Sequence, residues 1–420
     1  VDDRQNDRLT LEINGIAFDE IKDYTLKKDV LLGCGTFEAE INPLRLVSVC
    51  HEPLQYIVTV GKKPVQTGWL DTTHRRASKS GHSFRISGRD VVQLWVDNYI
   101  LKSKTYSMQP LSSIINDCIS NNSSVNYGGK TLQLNSAVMP IITSAAQQQA
   151  APLMSSIYNL TAEPGQTLFD FLGKLCNQLG LVIYATPNGV ITIDTLLCEN
   201  SSRLAFQAIN KRDNKANNNI SEIEYSESAV AYHAYKKIQG QVSAPVTIDN
   251  ASEALSFKDR KIDARKKIEY YDPSFKGLMR FRTVTLFESQ GLSWVNSGEK
   301  LVRNTNMTES RKLFALNLTF HGHAQSEPYD VNRDIYIDDD MTGLKGTWVI
   351  YAVEMRGSRT EGFETRLECH TKSRLSSSAL VSTPDYTATQ SVYAEDTQPF
   401  AQQYDTIKGK QYKLGEGATL

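Results

Sequence analysis

TLFDFLGKLCNQLGLVIYATPNGVITID, residues 167–194, carries the strongest local signal in the chain. Leu168, Phe171, Leu172, Leu175, Cys176 and Leu179 recur at offsets of three and four, which places them on one face of a helix. Thr167 followed three residues later by Asp170 is a capping-box pattern, and Gly180 is a stop signal. Directly after it, LVIYA (181–185) and VITID (190–194) flank TPNG, the chemistry of a β-hairpin turn. A helix packed on a hairpin makes a compact α+β unit.

On either side the rhythm changes to period two. LTLEI (9–13) alternates Leu9, Leu11 and Ile13 with polar residues, and Asn14-Gly15 marks a tight turn. TFEAEI (36–41) aligns Phe37, Ala39 and Ile41 before Pro43, and QYIVTV (55–60) aligns Tyr56, Val58 and Val60. GKKP (61–64) turns into VQTGWLD, and HSFRIS (82–87) presents Phe84 and Ile86. These strands predict a small barrel or sandwich, closed by a short helical turn within GRDVVQLWVDNYI (88–100). Downstream, LFALNLTFHG (313–322), RDIYID (333–338), TWVIYAVEM (347–355) and FETRLECH (363–370) form a second β unit, with ISEIEYSES and 233–241 strand-like before it.

Between these blocks, Leu111, Ile114, Ile115 and Cys118 predict a helix over 108–120. The Asn-, Ser-, Ala- and Gln-rich stretch 121–150 reads as mostly loop, 210–220 as a polar linker and 255–270 as an exposed loop. A helix is expected within 294–314, weakened by Gly298. Beyond residue 375 the apolar periodicity stops, so an extended tail is expected.

At 420 residues the chain exceeds one ordinary core. Forty-six basic against 47 acidic side chains give a net charge of -1, which lacks the electrostatic footprint of a nucleic-acid binder. Cys34, Cys50, Cys118, Cys176, Cys198 and Cys369 are widely spaced, so free thiols are expected rather than a disulfide framework. The polar start VDDRQNDRLT shows no signal peptide, and no apolar run approaches the roughly 20 residues of a membrane helix. A soluble chain without stable membrane insertion is expected.

Chemistry-bearing groupings are few. His321 and His323 would share a strand face and could converge on a metal, with a solvent-facing strand end as the plain alternative. Asp338-Asp339-Asp340 before Met341-Thr342-Gly343 could hold a cation but reads as a turn with solvated charges. The run KDRKIDARKK (258–267) is diluted by Asp259 and Asp263, and Trp69, Trp95, Trp294 and Trp348 read as packing residues. No nucleophile elbow or phosphate-binding glycine loop appears. No catalytic, cofactor-binding or metal residue is therefore assigned, and no cofactor is expected.

Three stretches together resemble the baseplate hub and tail proteins of contractile-tailed phages, which include the Mu-like 43 kDa tail protein, late control protein D-like members and T-even hubs. In 67–100 the resemblance rests on Gly68, Asp71, His82, Gly88, Arg89, Asp90 and Asp97; in 163–194 on the helix and hairpin, with Gln166 in place of an acidic residue. The third runs from YDPSFKGLMRFRTVTLFES (271–289) through 332–370, with Asn332, Trp348-Val349-Ile350, Gly362, Thr365 and Leu367. An Ala/Gln-rich insertion around 140–150 and the tail after 380 depart from the family pattern.

The resemblance implies a mainly β fold with two similar small β-barrels, a helix-and-hairpin α+β insertion and an extended C-terminal tail. Its expected division is 8–100 as the first barrel, completed by 220–245; 101–210 as the insertion; 246–375 as the second barrel; and 376–420 as the tail. It implies a non-enzymatic homotrimer in the virion baseplate, assembled in the host cytoplasm. Six barrels would form a pseudo-sixfold ring joining a tail-tube or tube-initiator protein to a central spike, with wedge or tape-measure components as further partners and DNA only in transit. The alternatives are a tail-associated peptidoglycan hydrolase and a carbohydrate-binding β module or adhesin.

Overall fold

A computed structural model describes residues 9–18, 21–41, 49–50, 52–79, 81–107, 109–127, 130–133, 138–154, 160–195, 204–213, 217–228, 235–241, 265–271, 283–288, 314–325, 327–358 and 362–371. The expected helix within 294–314, apart from Phe314, and the tail beyond 375 lie outside these residues, as does Cys198.

The first β half comprises β1 (Leu9–Ile13), β2 (Ile16–Phe18), β3 (Ile21–Asp29), β4 (Thr36–Ile41), β5 (Gln55–Val60), β6 (Lys63–Ser78) and β7 (Gly81–Asp90). The short α1 (Gln93–Val96) follows. The insertion contains β8 (Lys104–Tyr106), α2 (Leu111–Asn121), β9 (Ser124–Tyr127), β10 (Lys130–Gln133), β11 (Ile141–Ile142), α3 (Ser144–Met154), β12 (Leu160–Ala162), α4 (Leu168–Gln178), β13 (Leu181–Ala185) and β14 (Ile191–Thr195). After it come β15 (Leu204–Asn210), β16 (Glu222–Glu227), β17 (Tyr235–Gln241), β18 (Arg265–Tyr271) and β19 (Thr283–Glu288). The second β half ends the described chain with β20 (Phe314–His321), β21 (Arg333–Asp339), β22 (Lys345–Ser358) and β23 (Gly362–Thr371).

The alternating residues read from the sequence are the buried ones. Leu9, Leu11, Ile13, Phe37, Ala39, Ile41, Tyr56, Val58, Phe84, Ile86, Leu316, Leu318, Phe320, Leu367 and Cys369 all face one core shared by both β halves. The α4 stripe is buried in full within a second core formed by the insertion. Its capping box is complete: the Thr167 hydroxyl accepts from the Asp170 N–H, and the Asp170 carboxylate accepts from the Thr167 N–H. β13 and β14 pair as the expected hairpin, with β11 added in parallel to β14.

The mainly β expectation with an α+β insertion holds, but the strands are not arranged as two separate closed barrels. Among the described residues they form one open 13-stranded sheet in the order β16-β20-β23-β22-β3-β4-β7-β6-β5-β1-β2, with β21 also on β22 and β15 on β21. β3 of the first half pairs antiparallel with β22 of the second over Asp23–Asp29, which fuses the halves edge to edge. The described residues of 220–245 pair elsewhere than with the first half: β16 pairs with β20, and β17 forms a three-stranded sheet with β18 and β19. β15 lies at the end of the expected insertion yet pairs with β21; of the expected linker 210–220 it includes only Asn210.

Two further corrections concern segments read as loops. Within 121–150, β9 pairs with β10 and α3 packs Ala146 and Ala150 into the insertion core. Within 255–270, residues from Arg265 onward are strand β18. Among the described residues no helix is long and apolar enough to cross a membrane.

Candidate functional site

The residues that carried the resemblance in the first β half converge at the base of the β6–β7 hairpin. Gly68 and Gly88 allow the two strands to approach closely. A Cβ on Gly68 would lie 2.0 Å from the Arg89 carbonyl oxygen, and one on Gly88 would lie 2.5 Å from the Trp69 carbonyl oxygen. That approach aims Arg89 between Asp71 and Asp97. Its Nε and Nη2 donate to the two Asp71 oxygens at 2.7 and 3.1 Å, while Nη1 and Nη2 donate to Asp97 at 3.1 and 2.6 Å. The hydrogen bonds to Asp71 and then Asp97 hold the guanidinium firmly in its charged form. Arg89→Ala would leave two carboxylates facing each other. At this part-exposed site it should cost about 1–2 kcal/mol in urea unfolding, with Arg89→Lys recovering only part because it cannot make both forks.

The neighbouring Asp90 turns inward and is only 3% exposed. Its carboxylate accepts from the Gly35 N–H at 2.6 Å, the Val92 N–H at 2.9 Å and the Cys34 thiol at 3.4 Å. Burial raises the Asp90 carboxyl above its ordinary range, opposed by those same hydrogen bonds. Burial likewise pushes the Cys34 thiol up, so it is a proton donor here and not a thiolate nucleophile. This second knot ties the loop before β4 to the start of α1. His82 stands apart at the hairpin tip, exposed, and joins neither knot.

A second cluster lies along the β3–β22 seam. The Tyr24 hydroxyl meets His323 Nε2 at 2.5 Å, and His323 Nδ1 meets the Thr365 hydroxyl at 2.8 Å. Thr365 in turn donates to the Gly322 carbonyl at 2.7 Å, which fixes the direction of the chain: Nδ1 carries the ring proton and Nε2 accepts from Tyr24. Gly357 faces Tyr24 across the ladder, where an added Cβ would meet the phenol ring at 2.3 Å. Beside it, Lys28, 5% exposed, binds Asp330 at 2.7 Å. Thus two buried polar links join residues about 300 positions apart.

His323 is therefore not paired with His321. β20 ends at His321, Gly322 takes φ +88, and His323 turns into the core while His321 stays exposed. Nor is it a solvent-facing strand end, since it is fully buried. Desolvation lowers its pKa to about 4, below the unfolded value near 6.5. The unfolded chain then binds more protons between those values, so stability is kept above about pH 6.5 and lost as pH falls towards 4. The loss should total about 3 kcal/mol. Denaturant midpoints at pH 7.5 and 4.5 should show the gap between wild type and His323→Gln narrowing by that amount on acidification.

Of the triple Asp, expected as a turn with solvated charges, Asp338 and Asp339 end strand β21 and only Asp340 enters the turn, and the charges are engaged. Lys211 binds Asp338 at 2.6 Å and Asp340 at 2.9 Å, while Asp339 accepts from Asn210 at 2.6 Å and from the Thr342 N–H at 2.6 Å and hydroxyl. Among the described residues no three His, Cys, Asp or Glu side chains gather as a metal site. Of the run 258–267, residues 258–264 lie outside the description and 265–267 belong to β18. Trp95 and Trp348 are core residues; Trp294 is not described.

A cleft of about 770 Å³ lies where Lys63–Val65, Thr143–Ala145, the β13–β14 turn and 327–334 meet. Three of its carboxylates are already held: Asp194 by Thr143 at 2.6 Å, Asp330 by Lys28 at 2.7 Å and Glu327 by Lys63 at 3.7 Å. Among the described residues these clusters do not place a nucleophile, a base and an oxyanion donor around a common point.

Comparison with known proteins follows the same lines. Residues 8–90 match the family model for the Mu phage baseplate assembly protein GpP-like N-terminal domain. A tail protein from Neisseria meningitidis MC58 shares the fold at TM-score 0.63 with 16% identity, over 87% of this chain and 97% of that one. The 43 kDa tail protein of prophage MuSo2 from Shewanella oneidensis does so at TM-score 0.60 with 14% identity, over 86% and 97%. Prophage tail protein gp18 from Listeria monocytogenes is similar at TM-score 0.50 with 11% identity, over 89% and 97%. No curated protein matches the chain in sequence. The resemblance read from the sequence is thus borne out: residues 8–90 match the model of a GpP-like baseplate domain, and the fold is shared with phage tail proteins.

Proposed function

We propose that this chain is a structural hub subunit of a contractile phage tail or related injection machine. The observation that carries the reading is the GpP-like match at 8–90, set within a fold shared almost end to end with two tail proteins. In this reading the β unit at 8–100 and the one within 246–375 stand in near-equivalent places, with the strands at 204–210 and 222–227 added to the second unit. The insertion at 101–210 braces them, and the tail at 376–420 is extended.

Three such chains would then offer six similar surfaces, a homotrimer matching a sixfold tail tube to a threefold spike. Cyclic closure hides strand edges that would otherwise recruit further chains without limit. The near-zero net charge suits a passage through which DNA moves without being held. The work is shape and docking, not bond-making, and its place is the virion baseplate after assembly in the host cytoplasm.

Native mass measurement with low-resolution imaging tests this directly. Three copies around an open centre are expected. A stable monomer at high concentration would overturn the reading, as would a cell-wall zymogram band abolished by changing one carboxylate.

A further inference from the structure

The open sheet leaves two strand edges of opposite charge, and we infer that they pair between copies of this chain. This inference rests on the ring reading above. The first edge is the outer half of β6. β7 covers one side of β6 along the hairpin, but β5 covers the other side only from Lys63 to Trp69. Thr72–Ser78 thus presents a ladder edge with no strand partner among the described residues. The arm from Thr72 to His82 carries His74, Arg75, Arg76 and Lys79 and no Asp or Glu. Arg76 and Lys79 are exposed and have no ion-pair partner among the described residues.

The second edge is β16, which pairs only with β20 among the described residues. It reads EIEYSE, with Glu222, Glu224 and Glu227 and no basic residue. Glu222 is exposed and has no ion-pair partner among the described residues, whereas Glu224 meets Arg366 at 3.2 Å.

Length, polarity and face agree as well as charge. The arm edge offers seven residues and β16 six, so a full ladder can form. From β16 to β6 the sheet passes through antiparallel pairings only, in the order β16-β20-β23-β22-β3-β4-β7-β6, so the two edge strands run in opposite directions. A second copy continuing the sheet therefore meets the arm antiparallel. On the core side, Arg75 lies over the Phe84 ring, and Ile223 and Tyr225 pack against the core. On the opposite face, His74 and Arg76 stand beside Arg85 and Ser83 in the ladder, and Glu222 and Glu224 occupy that face of β16. Joined core side to core side, the basic face of one arm meets the acidic face of the next β16. Such a contact is head-to-tail, so it does not stop at two copies, and it gives a ring when the rotation between neighbours closes on itself.

The test uses the full chain in three forms: Arg76→Glu with Lys79→Glu, Glu222→Lys with Glu224→Lys, and all four changes together. Far-UV circular dichroism and melting confirm that each is folded, and association is followed by native mass spectrometry and light scattering. Each double reversal should weaken self-association by roughly tenfold or more, since like charges then face each other across the strands. The fourfold chain should return to wild-type association to within about threefold, because opposite signs face each other again. A wild-type ring that ignores both reversals would overturn this contact and leave the hub reading standing. A wild type that stays monomeric would overturn both.

Discussion

Gly68→Ala is expected to unfold the first β half at ordinary temperature. The added Cβ would lie 2.0 Å from the Arg89 carbonyl oxygen and 2.8 Å from the Asp90 Cα, and both are backbone atoms in the paired strand. No rotamer change can relieve such a contact, so β6 and β7 must part. Parting them also pulls Arg89 from Asp71 and Asp97 and Asp90 from Gly35 and Val92. The loss should be about 4 kcal/mol or more, at the far end of single substitutions. Soluble yield and a denaturant melt measure it. A variant that melts within a few degrees of wild type would mean that the strands do not approach so closely.

Tyr24→Ala should have an effect of similar size, about 5 kcal/mol. It deletes a buried ring, which alone costs roughly 3–5 kcal/mol, and strips the buried His323 Nε2 of its donor. Tyr24→Phe keeps the ring and should cost only about 1–2 kcal/mol. A double-mutant cycle makes the test specific. Gly357→Ala should destabilise the wild type, where the new Cβ strikes the phenol at 2.3 Å, yet be nearly neutral once Tyr24 is Ala. Additive effects would mean that the seam is not built around this ring.

Much of this fold was legible because burial follows chain periodicity. The α4 stripe and the strands with clean alternation needed only their own residues to be read. The misses share a cause, which is that the deciding partner lies far away in sequence. β3, IKDYTLKKD, hides its alternation of Tyr24, Leu26 and Lys28 among charges, because Lys28 is buried against an Asp 302 positions later. α3 escapes a reading by periodicity because its buried stripe is made of alanines, too small to register as an apolar face. His323 looked like half of a ligand pair because nothing nearby names Tyr24 as its partner. Likewise the triple Asp gave no sign of Lys211, 127 residues before Asp338. The glycines and carboxylates of the GRD region were visible as a motif, but their meaning is mutual: Gly68 matters because of Arg89, and Arg89 because of Asp97.

The way β3 and β22 are joined has a mechanical meaning. Their register sets Asp23–Asp29 against Ala352–Ser358, so tension drawing one β half along the strand direction away from the other bears on the whole row at once. Loaded in that sense, the subunit should yield by sliding at high force; pulled across the strands, it should peel open bond by bond at low force. A single-molecule stretching experiment with attachment points chosen for each direction would show whether this part resists recoil along one axis only.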